Sequence, residues 1–147
     1  MIASIHFFTE NIHYTLRQKK ILRKWICAVS LAEQKTAGEI SFVFCDDDFL
    51  FEMNNKYLKH NTLTDIITFP FSENDRIISG EIYISLPRVR ENALEFRETF
   101  ENELHRVMIH GILHLAGYKD SSKEQKQEMR NLENLCLSNL AGMISIT

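Results

Sequence analysis

Apolar positions along the chain switch between periods of about two and about 3.6 residues, and the switches mark the elements. Residues 4–8 (SIHFF) read as a short strand. From residue 12 to about residue 34 the period is helical: Leu22, Trp25, Ile26 and Val29 fall at i, i+3, i+4 and i+7, with Gly38 beyond the end. Residues 39–45 (EISFVFC), rich in β-branched and aromatic side chains, predict a strand. Asp46, Asp47 and Asp48 then open a helix with Leu50, Met53 and Tyr57 on one face. Acids there suit capping and the helix dipole better than a second metal. Residues 64–71 (TDIITFPF) and 80–86 (GEIYISL) are two more strands, and the turn-rich 72–76 (SENDR) predicts a hairpin or tight connection between them. Ser85 stands at the cap position and Pro87 in the first turn of a helical stretch that runs to about Ala116, broken near Thr99. Ser121 and Glu124 have capping-box spacing for a last helix, with Met129, Leu132, Cys136 and Leu140 facing inward. The expected fold is α+β: a small mixed four-stranded sheet packed with about five helices, in a single domain over 1–147. The stretch 107–115 is apolar all round, so that helix should be buried at the centre.

Composition narrows the class. A chain of 147 residues with 44% hydrophobic content, 5 Gly and 2 Pro fits one folded domain and excludes a disordered or collagen-like chain. No apolar run approaches the roughly 18–20 residues of a membrane span. The N-terminal MIASIHFFTENIHY has neither a basic n-region nor a small-residue cleavage site, so no signal peptide is expected. Cys27, Cys45 and Cys136, odd in number and set among apolar residues, read as thiols of a reducing compartment, and a cytoplasmic location is expected. A net charge of −3 argues against a general polyanion-binding surface. Arg17, Lys19, Lys20, Arg23 and Lys24 read as the solvated face of the first helix. Contact with nucleic acid would have to come from a local site.

The chemistry concentrates in VMIHGILHLAGYKD, residues 107–120. His110 and His114 are four apart, so on a helix they project from one face, one turn above the other. Two imidazoles on a buried helix need partners, and one divalent metal satisfies both. Gly117 stands where a helix ends through a left-handed residue, after which the reversed chain can return Asp120 to the imidazoles. His-x3-His-x5-Asp supplies two nitrogens and one oxygen, a three-ligand site with an open position, as in a catalytic zinc centre. The spacing matches the metzincin frame, but Gly111 stands where zinc peptidases carry their general-base glutamate. The residues themselves therefore point to a metal-assisted hydrolase other than an ordinary peptidase.

HGILHLAGYKD resembles the His-Gly-x-Leu-His-Leu-x-Gly-Tyr signature of the YbeY-type endoribonuclease and rRNA maturation family, with Asp120 in place of the family's usual third His. Met53-Asn54-Asn55-Lys56-Tyr57 followed by Thr64-Asp65-Ile66-Ile67-Thr68-Phe69-Pro70 is similar to the family's Leu-Asn-x-x-Tyr-Arg … Pro-Thr-Asp-Val-Leu-Ser-Phe-Pro, and Gly80–Ser85 (GEIYIS) to its Gly-Asp-Ile-x-Ile-Ser strand. The match spans about residues 40–120. It implies a zinc-dependent, single-strand-specific endoribonuclease of 16S rRNA 3′-end maturation and small-subunit ribosome quality control. One Zn2+ per chain would be held by His110, His114 and Asp120. Its partners would be single-stranded RNA, rRNA and the ribosomal small subunit, with no membrane and no nucleotide cofactor.

Two departures stand out: Leu58 replaces the family's Arg after the Tyr, and Leu63 its Pro before Thr64. Lys56, Lys59 or Arg106 are the candidates for the missing charge, Arg106 on the catalytic side and the lysines, with Tyr118, on the substrate side. Asp65 is either a base or orienter of a ligand, or a strand-start residue capping a loop; Tyr118 either contacts substrate or packs against a strand. His105, five residues before His110, falls on another face and is expected to be partly exposed. The substrate cleft should be walled by residues 57–65, the start of the strand 66–71 and the turn 117–120, with Lys56, Lys59, Arg106 and Lys119 as its cations. Neutralising Lys59 with Arg106 should then weaken RNA binding and leave zinc content unchanged. Two other readings stay open: a ribosome-assembly binding factor with a structural zinc, and an atypical zinc peptidase.

Overall fold

The computed structural model describes residues 3–57, 64–71 and 74–146. Its elements run β1 (Ser4–Glu10), α1 (Lys19–Ala32), β2 (Thr36–Cys45), α2 (Asp47–Tyr57), β3 (Ile66–Pro70), β4 (Ile77–Ser85), α3 (Leu86–Glu95), α4 (Phe100–Leu115) and α5 (Lys123–Ile146). The four strands form one mixed sheet in the order β1-β2-β4-β3. β1 and β4 lie parallel to β2, and β3 closes antiparallel on β4, from Ile66 opposite Ile84 to Pro70 opposite Gly80. This is the expected α+β fold, hairpin included.

Strand alternation assigns the two faces. Ile40, Phe42 and Phe44 of β2, with Ile78, Ile82 and Ile84 of β4, enter the main core beneath α1, α4 and α5. Cys45 and Ile67 point the other way and pack with Leu50 of α2 in a smaller cluster that includes Phe69 and Tyr83. The aromatics of β3 and β4 are thus packing residues. Trp25 of α1 donates its indole N–H to the Cys136 carbonyl of α5 at 2.8 Å, joining the two outer helices. The three cysteines are free, Cys45 and Cys136 buried and Cys27 half-buried.

Three local readings shift in the structure. The first helix starts at Lys19, not near residue 12: Asn11 and Gln18 adopt left-handed φ of 59° and 61°. Between them, Ile12, Tyr14 and Leu16 anchor an irregular segment on the core, and their spacing imitates a helical face. Gly38 does lie beyond the helix end, but inside β2; the left-handed residue after α1 is Gln34, at φ 59°. The β2–β4 register shifts between Ala37 and Ile40, and a Cβ on Gly38 would fall 2.5 Å from Ser79 Oγ. The last capping box is one residue further on: Ser122 Oγ accepts from Gln125 N at 3.1 Å, and Gln125 Oε1 accepts from the N–H groups of Ser121 and Ser122 at 3.0 Å each. The cap at Ser85 and the break at Thr99 fall where expected; Ser85 accepts from Arg88 N, and Thr99 proves to be the cap of the next helix, accepting from Asn102 N. Asp46 Oδ1 caps α2 through Phe49 N, and Asp47 accepts from Ser85 Oγ and Arg88 Nε, so the acidic run is spent on capping and on tying α2 to α3.

α4 is wedged between the β3–β4 half of the sheet and helices α3 and α5. Gly111 lets it approach: a Cβ there would stand 2.9 and 3.1 Å from the two arms of Ile82 and 3.0 Å from Ile66 Cδ1. Ile82 is fully buried and β-branched, so it cannot swing aside. Gly111→Ala should therefore destabilise the fold, since overpacking costs about 1–3 kcal/mol and better helix propensity returns only about 1 kcal/mol. Urea unfolding reads the difference, and a variant more stable than the parent would refute this tight contact. The residue that would be a peptidase's glutamate is thus turned into a dry helix–sheet contact.

Candidate metal centre

α4 ends in a Schellman motif: Gly117, at φ 112°, donates to the His114 carbonyl and Tyr118 N donates to the Leu113 carbonyl, both at 3.0 Å. The reversal does two things. It aims the Tyr118 carbonyl at His114, which donates to it through Nδ1 at 2.9 Å, and it returns Asp120 to the helix. The Nε2 atoms of His110 and His114 stand 2.9 Å apart, and Asp120 Oδ2 lies 3.3 Å from each.

A carbonyl oxygen only accepts, so the proton of His114 sits on Nδ1 and its Nε2 carries a lone pair. His110 is oriented likewise, Nδ1 donating to Glu133 Oε2 at 2.6 Å. Two nitrogen lone pairs and a carboxylate oxygen thus converge on one point, an arrangement that repels itself unless a cation lies among them. Zinc bonds of about 2.0–2.1 Å in tetrahedral geometry imply ligand–ligand edges of about 3.3–3.4 Å, close to the spacing found. His110, His114 and Asp120 therefore form a group fit to hold a metal ion. With side chains 21%, 25% and 41% exposed, the group is open on one side, as an exchangeable coordination position requires.

Glu133 is the main functional residue that local spacing does not reveal. It reaches the site from α5 and is almost wholly buried. Its other oxygen accepts from Arg106 Nη1 at 3.1 Å, and Arg106 Nε faces Glu103 at 4.0 Å. The one available signal was a carboxylate four residues after inward-facing Met129, a buried acid in need of a partner. Carboxylate–imidazole–metal chains of this kind fix the ring and raise its basicity. Burial alone would pull the His110 pKa down, but the Glu133 hydrogen bond and charge, with Asp120 and Asp65, carry it above the usual value.

The structure places the other expected site residues unequally. Asp65, just ahead of β3, lines a 330 Å³ cavity with His110, Asp120 and Arg106. Its carboxylate accepts from Asn92 Nδ2 at 3.3 Å, and burial raises its pKa, with His110 opposing. Arg106 also reaches the cavity, but its side chain is only 11% exposed and is engaged by Glu133. Because Arg106 and His110 share Glu133, neutralising Arg106 would disturb the partner of a metal-group imidazole, which sets this geometry against the expectation that zinc content is insensitive to Arg106. The Tyr118 hydroxyl donates to Glu33 at 2.6 Å, which with burial pushes its pKa up to about 12; what it gives the site is its carbonyl. Lys56 stays exposed, its ammonium 5.3 Å from the Tyr57 ring, and is not among the cavity-lining residues. Lys59, like Leu58, His60 and Leu63, lies outside the described residues. His105, expected partly exposed, is buried at 8% exposure, edge-on to Trp25, and burial lowers its pKa. The far wall of the cavity comes from α3 and α5 through Asn92, Phe96, Lys126 and Arg130, none of which the sequence pattern singled out.

The model of the family described as endoribonuclease YbeY matches residues 4–141. A relative of that name from Flavobacterium psychrophilum is 49% identical over 127 residues, covering 86% of this chain and 90% of its own length. One from Cytophaga hutchinsonii is 43% identical over 92% of this chain and 94% of its own. A solution structure of a Thermotoga maritima protein superposes with a TM-score of 0.66 at 31% identity, over 94% of this chain and 89% of that one. Among the described residues, no helix is long and apolar enough to cross a membrane.

Proposed function

Because the chain belongs to the endoribonuclease YbeY family, we propose that it is a zinc-dependent, single-strand-specific endoribonuclease. The reading extends to a single hydrolase domain working in the cytoplasm on the 3′ end of 16S rRNA and in quality control of the small subunit. The observation that carries it is the convergence of His110 Nε2, His114 Nε2 and Asp120 Oδ2, with His110 and Asp120 also lining the neighbouring cavity. A donor set of two imidazoles and one carboxylate suits zinc. When bound, zinc supplies Lewis acidity for a phosphoryl oxygen and for the nucleophile that attacks phosphorus.

The chain's own residues do the rest. Glu133 and the Tyr118 carbonyl hold the two rings in the tautomer that presents Nε2. Asp65, kept in place by Asn92 and raised in pKa by burial, is the carboxylate of the cavity suited to exchange a proton with the reacting groups. Arg106 acts through Glu133, as a positioning residue.

The direct test is a short single-stranded RNA from the 3′ end of 16S rRNA, incubated with zinc-loaded and with chelated protein beside an RNA duplex and casein. Cleavage of the single strand alone, and only with metal, is the expected result. Intact RNA with digested casein would replace this reading with a peptidase. Asp120→His should keep or strengthen zinc affinity, because imidazole is at least as good a zinc ligand as carboxylate. Competition against a chromogenic chelator measures it. Abolished binding in a folded variant would remove Asp120 from the ligand set.

A further inference from the structure

The cavity beside the metal group has a charge problem. Four carboxylates line it, from Asp65, Glu103, Asp120 and Glu133, and the chain as a whole carries −3. A phosphodiester strand would be repelled there unless cations answer them. Three line the cavity: Arg106, Lys126 and Arg130. Arg106 is 11% exposed and paired with Glu133, so its charge is already committed. Lys126 and Arg130 differ. They stand one turn apart on α5 and are exposed; neither is within ion-pair distance of an acidic group among the described residues, although the Arg130 charge is felt by the Glu103 carboxylate across the cavity. With Glu133 they fall at i, i+4 and i+7, on the face of α5 that supplies the hydrogen-bond partner of His110.

We propose that Lys126 and Arg130 of α5 form a phosphodiester-binding subsite next to the metal group, gripping the backbone of the RNA strand whose bond is cleaved. The inference rests on the endoribonuclease reading and deepens it: the cationic wall of the substrate cleft is α5. Arg offers a planar fork to phosphate oxygens and Lys a mobile point charge, a pairing that holds a backbone without reading bases.

The test is made with zinc-loaded full-length protein and a fluorescein-labelled single-stranded RNA 12-mer, followed by cleavage kinetics at several salt concentrations. Lys126→Ala/Arg130→Ala should raise KM about tenfold and flatten its salt dependence by about 0.7 in logarithmic slope per phosphate contact removed. Zinc content should be unchanged. Lys126→Arg/Arg130→Lys, which keeps both charges, should recover most of the affinity. Lys20→Ala/Lys24→Ala on α1 should leave KM and slope as in the parent. A double variant with parental KM and salt slope overturns the subsite while leaving the nuclease reading intact. An α1 pair that accounts for the salt dependence overturns it equally. A parent protein that leaves the 12-mer uncut, with zinc bound, overturns both.

Discussion

Replacing His110 by alanine is expected to abolish stoichiometric zinc binding and, with it, RNA cleavage, while the chain still folds. Among the described residues the proposed metal group offers three ligand atoms, so loss of one nitrogen leaves His114 and Asp120, too few for a tight site. Removing several kcal/mol of charge stabilisation at phosphorus corresponds to about a thousandfold or more in rate. Folding should survive because Glu133, the partner left behind, keeps its bond to Arg106. Thermal unfolding separates these effects. Parent protein should gain stability on zinc addition, by about 2.7 kcal/mol at a hundredfold excess over Kd, and His110→Ala should gain almost none. His114→Ala should behave in the same way. A parent protein that takes up no transition metal even when zinc is supplied would remove the ground for every catalytic statement above.

Glu133→Ala should be the more damaging change to the fold although it touches no metal. Arg106 would be left almost buried, its Nε already without a hydrogen-bond partner, 4.0 Å from Glu103 Oε1, and its Nη1 stripped of the Glu133 contact. Breaking a buried pair by removing one partner costs about 3–5 kcal/mol. The His110 ring would also lose the bond that sets its tautomer, which typically lowers metal affinity about 10–100-fold. Glu133→Gln separates the two roles. Its amide keeps the volume and one acceptor but not the charge, so it should fold better than Glu133→Ala and still bind zinc more weakly than the parent. Urea unfolding of the metal-free proteins reads the first effect and zinc titration the second. An alanine variant with parental stability would show that the Arg106–Glu133 pair contributes nothing net.

The division between what the chain shows by itself and what its folding adds follows the range of the interactions. His110, Gly117 and Asp120 lie within eleven residues of one another, and their relation depends only on helical pitch and on glycine's tolerance of positive φ. The metal group was therefore legible before any packing was known, as was the four-stranded sheet, whose apolar alternation is a local property of each strand. Segments 11–18 and 36–38 misled because core anchors on an irregular stretch and a glycine in a bulge leave the same local traces as a helix and its end. What the sequence could not disclose is which long-range neighbour each polar side chain meets. Glu133 lies 23 residues from His110, and only the seating of α5 against α4 makes it the imidazole's acceptor and a sink for the Arg106 charge. The same seating brings Lys126 and Arg130 to the cavity and leaves Arg106 committed. A cation in a sequence is a charge without an address. Burial and pairing, which depend on the whole fold, decide whether it is spent inside the protein or left free for a substrate.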